Sequence, residues 1–67
     1  MRRYVFDVVT DSGLKAVAIF AKNYQMAKKE LIETAGTIEG FIRILSYYTV
    51  ESGFSRQIRA DYTFTSR

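Results

Sequence analysis

The chain contains neither cysteine nor histidine. Without cysteine it cannot form disulfide bonds or thiolate metal sites, and without histidine it lacks a common zinc ligand and the commonest acid–base catalyst. No apolar stretch approaches the ~18 residues of a membrane span, and the N-terminus MRRYVFDVVT lacks the pattern of a signal peptide. These absences predict a cytoplasmic protein with no metal, no cofactor and no membrane attachment.

What remains is a short chain of mixed charge. Its 67 residues predict a single small domain, residues 1–67. A chain of this size buries only about 60% of its unfolded surface, so self-association is an expected route to further stability. Ten Lys and Arg residues oppose seven Asp and Glu residues, and no basic run exceeds two residues. A solvated surface explains this charge at least as well as a nucleic-acid footprint does.

The segment TDSGL, residues 10–14, predicts a tight hairpin turn. A three-residue loop with Gly13 in the left-handed region pairs Thr10 with Leu14 and Phe6 with Ala18, which leaves one face of the hairpin apolar. A two-residue loop that pairs Phe6 with Ile19 is the competing register. We favour the three-residue loop because small alanines let a helix approach the sheet closely.

The segment VESGF, residues 50–54, predicts a second hairpin of the same design. A three-residue loop with Gly53 in the left-handed region pairs Val50 with Phe54, and it continues by pairing Ile44 with Ala60. The same register pairs Ile42 with Tyr62 and sets Asp61 opposite Arg43.

Between the hairpins, NYQMAKKELIETAG, residues 23–36, predicts a helix. Asn23 is the expected N-cap and Gly36 the expected C-terminal stop. Its apolar face is formed by Tyr24, Ala27, Leu31 and Ala35, with Ile32 at the edge, while Met26, Lys29, Glu30 and Glu33 point elsewhere.

The predicted fold class is therefore α+β, with ββαββ order and a four-stranded, mostly antiparallel sheet that has one helix on one face. In element order alone the chain resembles β-grasp domains of the immunoglobulin-binding type. That family places its first and last strands at the centre of the sheet, whereas the polar last strand here is more typical of an edge. The strand order stays open, and the resemblance implies no function.

One helix cannot cover both faces of such a sheet, so the face away from the helix is the predicted working surface. We expect a non-enzymatic binding module that uses this open face for homodimerisation or for docking to another protein. The apolar residues predicted to form the interface are Val5, Val9, Val17, Ile19, Phe41, Leu45 and Tyr47.

Two other functions leave weaker signals. A small nucleic-acid-binding protein is the alternative, in which single-stranded RNA or DNA stacks on Phe41 and Tyr47 and contacts Arg43 and Arg59. Catalysis is not expected, since no base can activate Ser12 or Ser52, and the carboxylates Asp7 and Asp61 are explained by nearby cations.

Overall fold

A computed structural model of the chain describes residues 2–50 and 60–66. Its strands are β1 (Arg2–Thr10), β2 (Gly13–Ala21), β3 (Phe41–Val50) and β4 (Tyr62–Thr65). The helix α1 spans Tyr24–Thr34 and is followed by a 3₁₀ turn at Ala35–Thr37. The predicted α+β class and the ββαββ order are confirmed.

The four strands form one mixed sheet in the order β3-β1-β2-β4. β1 pairs antiparallel with both β2 and β3, while β4 lies parallel to β2. The last strand is at an edge, as its polar pattern indicated, so the strand order differs from that of β-grasp domains. The parallel pair makes the sheet mostly, but not wholly, antiparallel.

The predicted second hairpin is wrong for the residues that the structure describes. β3 and β4 lie at opposite edges of the sheet, where Ile44 pairs with Val8 and Tyr62 pairs with Val17. Asp61 does not face Arg43. Its carboxylate Oδ2 accepts from the Ala16 amide at 2.8 Å, and its own amide donates to the Ala16 carbonyl at 2.8 Å. The ESG turn, with Gly53 and Phe54, lies outside the described residues.

The first hairpin exists. Its loop has two residues, as in the competing prediction, but the residue pairs expected for either loop are not observed. Thr10 pairs with Gly13, so the turn contains two residues, Asp11 and Ser12. The Thr10 hydroxyl closes the turn by donating to the Gly13 carbonyl at 2.8 Å and accepting from the Ser12 amide at 3.2 Å. Gly13 has the expected positive φ, at 110°.

This one-residue shift exchanges the two faces of β2. Phe6 now lies opposite Val17, and Tyr4 lies opposite Ile19, so both β2 residues face the helix. Ala18 moves to the open face, opposite Val5. The predicted register placed Ala16, Ala18 and Phe20 under the helix, whereas the observed one buries Val17, Ile19 and Ala21 there.

β3 breaks its alternation twice where it pairs with β1. The register shifts between Asp7 and Val8, and again between Val9 and Thr10. Each shift adds one residue to β3, first Leu45 and then Ile42, as β-bulges do. Because of these insertions, residues that strict alternation would place on one face are divided between two.

The helix begins as predicted. Asn23 is its N-cap, and its side-chain Oδ1 accepts from the Met26 amide at 2.9 Å. Ala27 and Leu31 are buried, but Met26 also packs partly against the core, so its predicted outward direction is wrong. No helix within residues 2–50 and 60–66 is long and apolar enough to cross a membrane.

The core lies between α1 and the facing side of the two central strands. Tyr4, Phe6 and Val8 come from β1, and the other elements supply the remaining members of the cluster: Val17, Ile19, Ala21, Ala27, Leu31 and Ile38. Tyr24, Phe41, Ile44, Tyr62 and Phe64 pack at its margin. Of the residues predicted on the helix-facing side, Phe6, Ala27 and Leu31 are buried and Tyr62 packs at the margin of the core, whereas Ala18 is corrected as above.

Gly40 connects the end of the helical region to the first hairpin. Its φ is 71°, and its carbonyl accepts from the Asp11 amide at 2.9 Å. A Cβ added here would lie 3.0 Å from both Cβ and Oδ2 of Asp11. We expect Gly40→Ala to lower the free energy of unfolding by about 1–3 kcal/mol in urea denaturation, because it combines a crowded contact with a disfavoured φ.

Gly36→Ala is the matched control for that substitution. Gly36 has no positive φ, and a Cβ added there meets nothing within 4 Å among the described residues. It lies inside the 3₁₀ turn, so the predicted glycine stop of the helix is replaced by Ala35 as the C-cap. Equal losses at the two glycines would contradict the backbone conformation assigned to Gly40.

Candidate interaction surfaces

The predicted open-face interface is only partly assembled. Val17 and Ile19 are fully buried in the core beneath the helix, so their predicted placement on the open face is wrong. Phe41 and Tyr47 pair with Thr10 and Phe6 and therefore also lie on the helix side, which corrects their placement too. The shifted β1–β2 register moves Val17 and Ile19 to the helix side, and the two bulges in β3 move Phe41 and Tyr47 there.

The other members of that set keep an open-face or exposed position. Val5 and Val9 lie on the open face, but Val5 is fully buried there and Val9 is half-buried. Leu45 is exposed and occupies the first β3 bulge. Whether any of these residues forms an interface stays a prediction.

The open face carries less exposed apolar surface than the sequence indicated. Ala18 is buried beside Val5, and Phe20 is covered in part by Arg3, whose guanidinium lies 4.7 Å from the ring centroid. The large exposed apolar side chains on this face are Leu14 and Tyr48. They lie on β2 and β3, on either side of β1, opposite Val9 and Val5 respectively, and do not form a continuous patch.

Exposed apolar side chains are instead concentrated on β3. Of the six large hydrophobic residues exposed among the described residues, four belong to this strand: Ile42, Leu45, Tyr47 and Tyr48, at 56%, 49%, 47% and 47% exposure. β3 is also an edge of the sheet, and within residues 2–50 and 60–66 it pairs with β1 alone. The sequence FIRILSYYTV does not alternate regularly between apolar and polar residues, but this irregularity does not show which residues are exposed.

An aromatic stack joins β3 to the helix. The rings of Tyr24 and Tyr47 have centroids 4.3 Å apart at an interplanar angle of 29°. Phe6 supports both, at 5.8 Å from Tyr47 and 6.2 Å from Tyr24, and Tyr4 lies 6.4 Å from Tyr24. The sequence pattern does not predict this stack, because strict alternation along β3 directs Tyr47 to the other face.

The predicted nucleic-acid site is not assembled on a single face. Phe41 and Tyr47 lie on the helix side, whereas Arg43 pairs with Val9 and lies on the open side. Arg59 lies outside the described residues. The two rings and the arginine of the predicted site are therefore separated by the sheet.

The two carboxylates noted in the sequence each have a local hydrogen-bonding role. Asp7 accepts from the Ser46 hydroxyl at 3.1 Å, and Asp61 accepts from the Ala16 amide. Asp7 on β1 and Asp61, the residue before β4, flank Ala16. In the part of the chain that the structure describes, no group of three or more carboxylates could hold a metal ion.

Comparison with known proteins adds no relative from which a role could be carried over. No protein-family model, curated protein or solved structure matches this chain.

Proposed function

We propose that this chain is a non-catalytic binding module that forms a homodimer by pairing β3 with the same strand of a second copy. The concentration of exposed apolar side chains on one edge strand supports this proposal. An antiparallel pair of identical strands about a two-fold axis is self-complementary, because each copy offers the same alternating N–H and C=O groups. An exposed, apolar strand edge is the kind of surface on which such pairing occurs.

The available energy fits a dimer of moderate affinity. Full burial of a large apolar side chain is worth ~1.5–3 kcal/mol, so half-burial of four such residues in each of two copies gives about 6–12 kcal/mol. Each new backbone hydrogen bond adds ~0.5–1.5 kcal/mol, while association costs ~4–15 kcal/mol. We therefore expect a dissociation constant of about 1–100 µM.

The bulges in β3 favour a closed dimer over open-ended assembly. The segment Ser46–Val50 pairs with β1 without a shift, whereas the first half of the strand is interrupted at Leu45 and Ile42. Bulges disrupt the regular ladder of an edge and limit further pairing there. Backbone pairing through the regular half, with the side chains of Leu45 and Ile42 packing beside it, occupies the β3 edge of each copy, so two copies satisfy each other.

Sedimentation equilibrium across protein concentration tests the proposal. We expect the wild-type chain to shift from monomer to dimer in the micromolar range. Leu45→Lys should weaken the dimer at least about tenfold, because it places a charge in an apolar contact. Leu14→Lys is the matched control, since Leu14 is 63% exposed and lies on β2.

The two lysine variants also distinguish β3 from the open face. Leu14 lies on that face opposite Val9, so a dimer formed through the open face would be disrupted by Leu14→Lys and tolerate Leu45→Lys. That result, or a wild-type chain that stays monomeric at every concentration, would contradict pairing through β3.

A further inference from the structure

We propose that the corner formed by the start of α1, the Tyr24–Tyr47 stack and the adjacent ends of β1 and β2 binds single-stranded nucleic acid. We call it the basic–aromatic corner and define it by Arg2, Lys22, Tyr24, Lys28 and Tyr47. It differs from the site predicted on the open face, because it lies on the helix side and uses other cations. It is complete in one copy of the chain and does not rest on dimerisation.

The rings of this corner form a supported stacking platform. Phe6 is fully buried, Tyr24 is half-buried, and Tyr47 is 47% exposed at the outside of the stack. The Tyr47 ring is held in place by Tyr24 at 4.3 Å and by Phe6 at 5.8 Å. Binding a ligand therefore costs little additional side-chain entropy at this ring. A nucleobase can stack on such a ring whatever its sequence, because every base has a π face.

Three exposed cations lie at or near the end of the sheet where α1 begins. Arg2 pairs with Ala21 at the end of the β1–β2 ladder, and Lys22 follows Ala21 directly. Lys28 lies one helical turn beyond Tyr24, on the same flank of α1. All three side chains are exposed, which suits contacts to phosphates.

The carboxylates of the described residues lie mainly toward the other end of the molecule. Asp11 is in the β1–β2 turn, Glu39 precedes Gly40 beside it, and Glu33 is in the last turn of α1. Lys15 and Arg43 also lie in that half, opposite Val8 and Val9. Among the described residues charge is thus unevenly placed: the five residues that define the corner include three cations and no carboxylate, and Glu33 lines the far end of the hollow that Tyr24 and Lys28 share on α1.

The combination of an exposed ring with nearby cations favours single-stranded nucleic acid over other polyanions. An anionic peptide or a lipid headgroup would use the cations but gain little from the ring, whereas a single strand uses both. Affinity should therefore depend on salt through the cations and on Tyr47 through stacking.

Fluorescence anisotropy with a fluorescein-labelled 12-nucleotide oligo(dT) tests the site, at protein concentrations below self-association and over a series of KCl concentrations. We expect Tyr47→Leu to weaken binding about five- to a hundredfold, the equivalent of one stacked base, and Tyr47→Phe to restore it. Tyr48→Leu is the matched control, because Tyr48 has the same 47% exposure and lies on the opposite face. Circular dichroism establishes that each variant is folded.

The cations are tested in pairs. Lys22→Gln combined with Lys28→Gln should reduce the slope of log affinity against log salt by about 0.7 for each phosphate that is no longer neutralised. Lys15→Gln combined with Arg43→Gln removes the same formal charge from the other end and should leave the slope nearly unchanged. Absence of binding in low salt would overturn the proposal. The proposal would also be overturned if the two double variants reduced the slope equally, or if Tyr47→Leu and Tyr48→Leu weakened binding equally. Binding to anionic phosphatidylserine vesicles in place of oligo(dT) would overturn it as well.

Discussion

Replacing Ile19 by alanine is expected to lower the free energy of unfolding by about 2–5 kcal/mol, because it leaves a cavity in the centre of the core. Ile19 is fully buried, lies opposite Tyr4 and packs in the cluster beneath α1. A chain of this size is stabilised by only about 3–10 kcal/mol in total, so Ile19→Val, which should cost about 0.5–1.5 kcal/mol, provides a variant that stays folded. Urea denaturation measures both.

The neighbouring residue makes this a test of register. Phe20 is half-buried on the open face under Arg3, and we expect Phe20→Ala to cost less than Ile19→Ala despite the larger side chain removed. In the three-residue loop predicted from the sequence, Phe20 faces the helix and Ile19 faces away. A larger loss of stability at Phe20 would therefore support that register and contradict the observed one.

Leu31→Ala is expected to have an effect of similar size, about 2–5 kcal/mol. Leu31 is fully buried at the centre of the helix face, whereas the next residue, Ile32, is 62% exposed. Ile32→Ala should change stability by no more than about 0.5 kcal/mol, since it removes little buried surface and alanine has the higher helix propensity. Thermal or urea denaturation of the two variants gives the comparison.

Similar losses of stability at Leu31 and Ile32 would show that the helix is rotated from the orientation described. They would also weaken the basic–aromatic corner, because Tyr24 and Lys28 lie on the same flank of the helix as Ile32.

The helix is the most predictable element because its signals are local. Asn23 caps its first turn, and the spacing of Ala27 and Leu31 identifies the buried face. The helical pattern predicts that Met26 points away from the sheet, but its side chain packs partly against the core on the side of α1 where Ser66, the residue after β4, also lies. The spacing of residues within a helix does not show which distant strand lies beside it.

The strand registers are harder to predict for two physical reasons. In the first hairpin both faces of β2 are apolar. The hydrophobic pattern alone therefore does not determine whether Val17 and Ile19 or Ala16 and Ala18 face the helix. The Thr10 hydroxyl, which fixes the turn, is a side-chain effect of the kind that such a pattern omits. In β3 the two bulges redirect Phe41 and Tyr47, and no local signal places a bulge at Leu45 or Ile42.

The position of β4 depends on pairing between distant parts of the chain. Tyr62 and Phe64 pack against the core, because alternation along YTFT is regular. The same alternation would be satisfied if β4 paired with either β3 or β2. The choice of β2 is reinforced by Asp61 and Ser66, whose amides donate to the carbonyls of Ala16 and Phe20 at 2.8 Å each.

The proposed function depends most directly on the outer edge of β3. Amide hydrogen exchange, measured residue by residue by NMR over a range of protein concentrations, reports the pairing of that edge. We expect the alternate β3 amides that do not bond to β1 to exchange rapidly in dilute solution and to become protected as concentration rises through the dimerisation range. Protection that does not change with concentration, whether absent or present throughout, would contradict pairing between copies through β3.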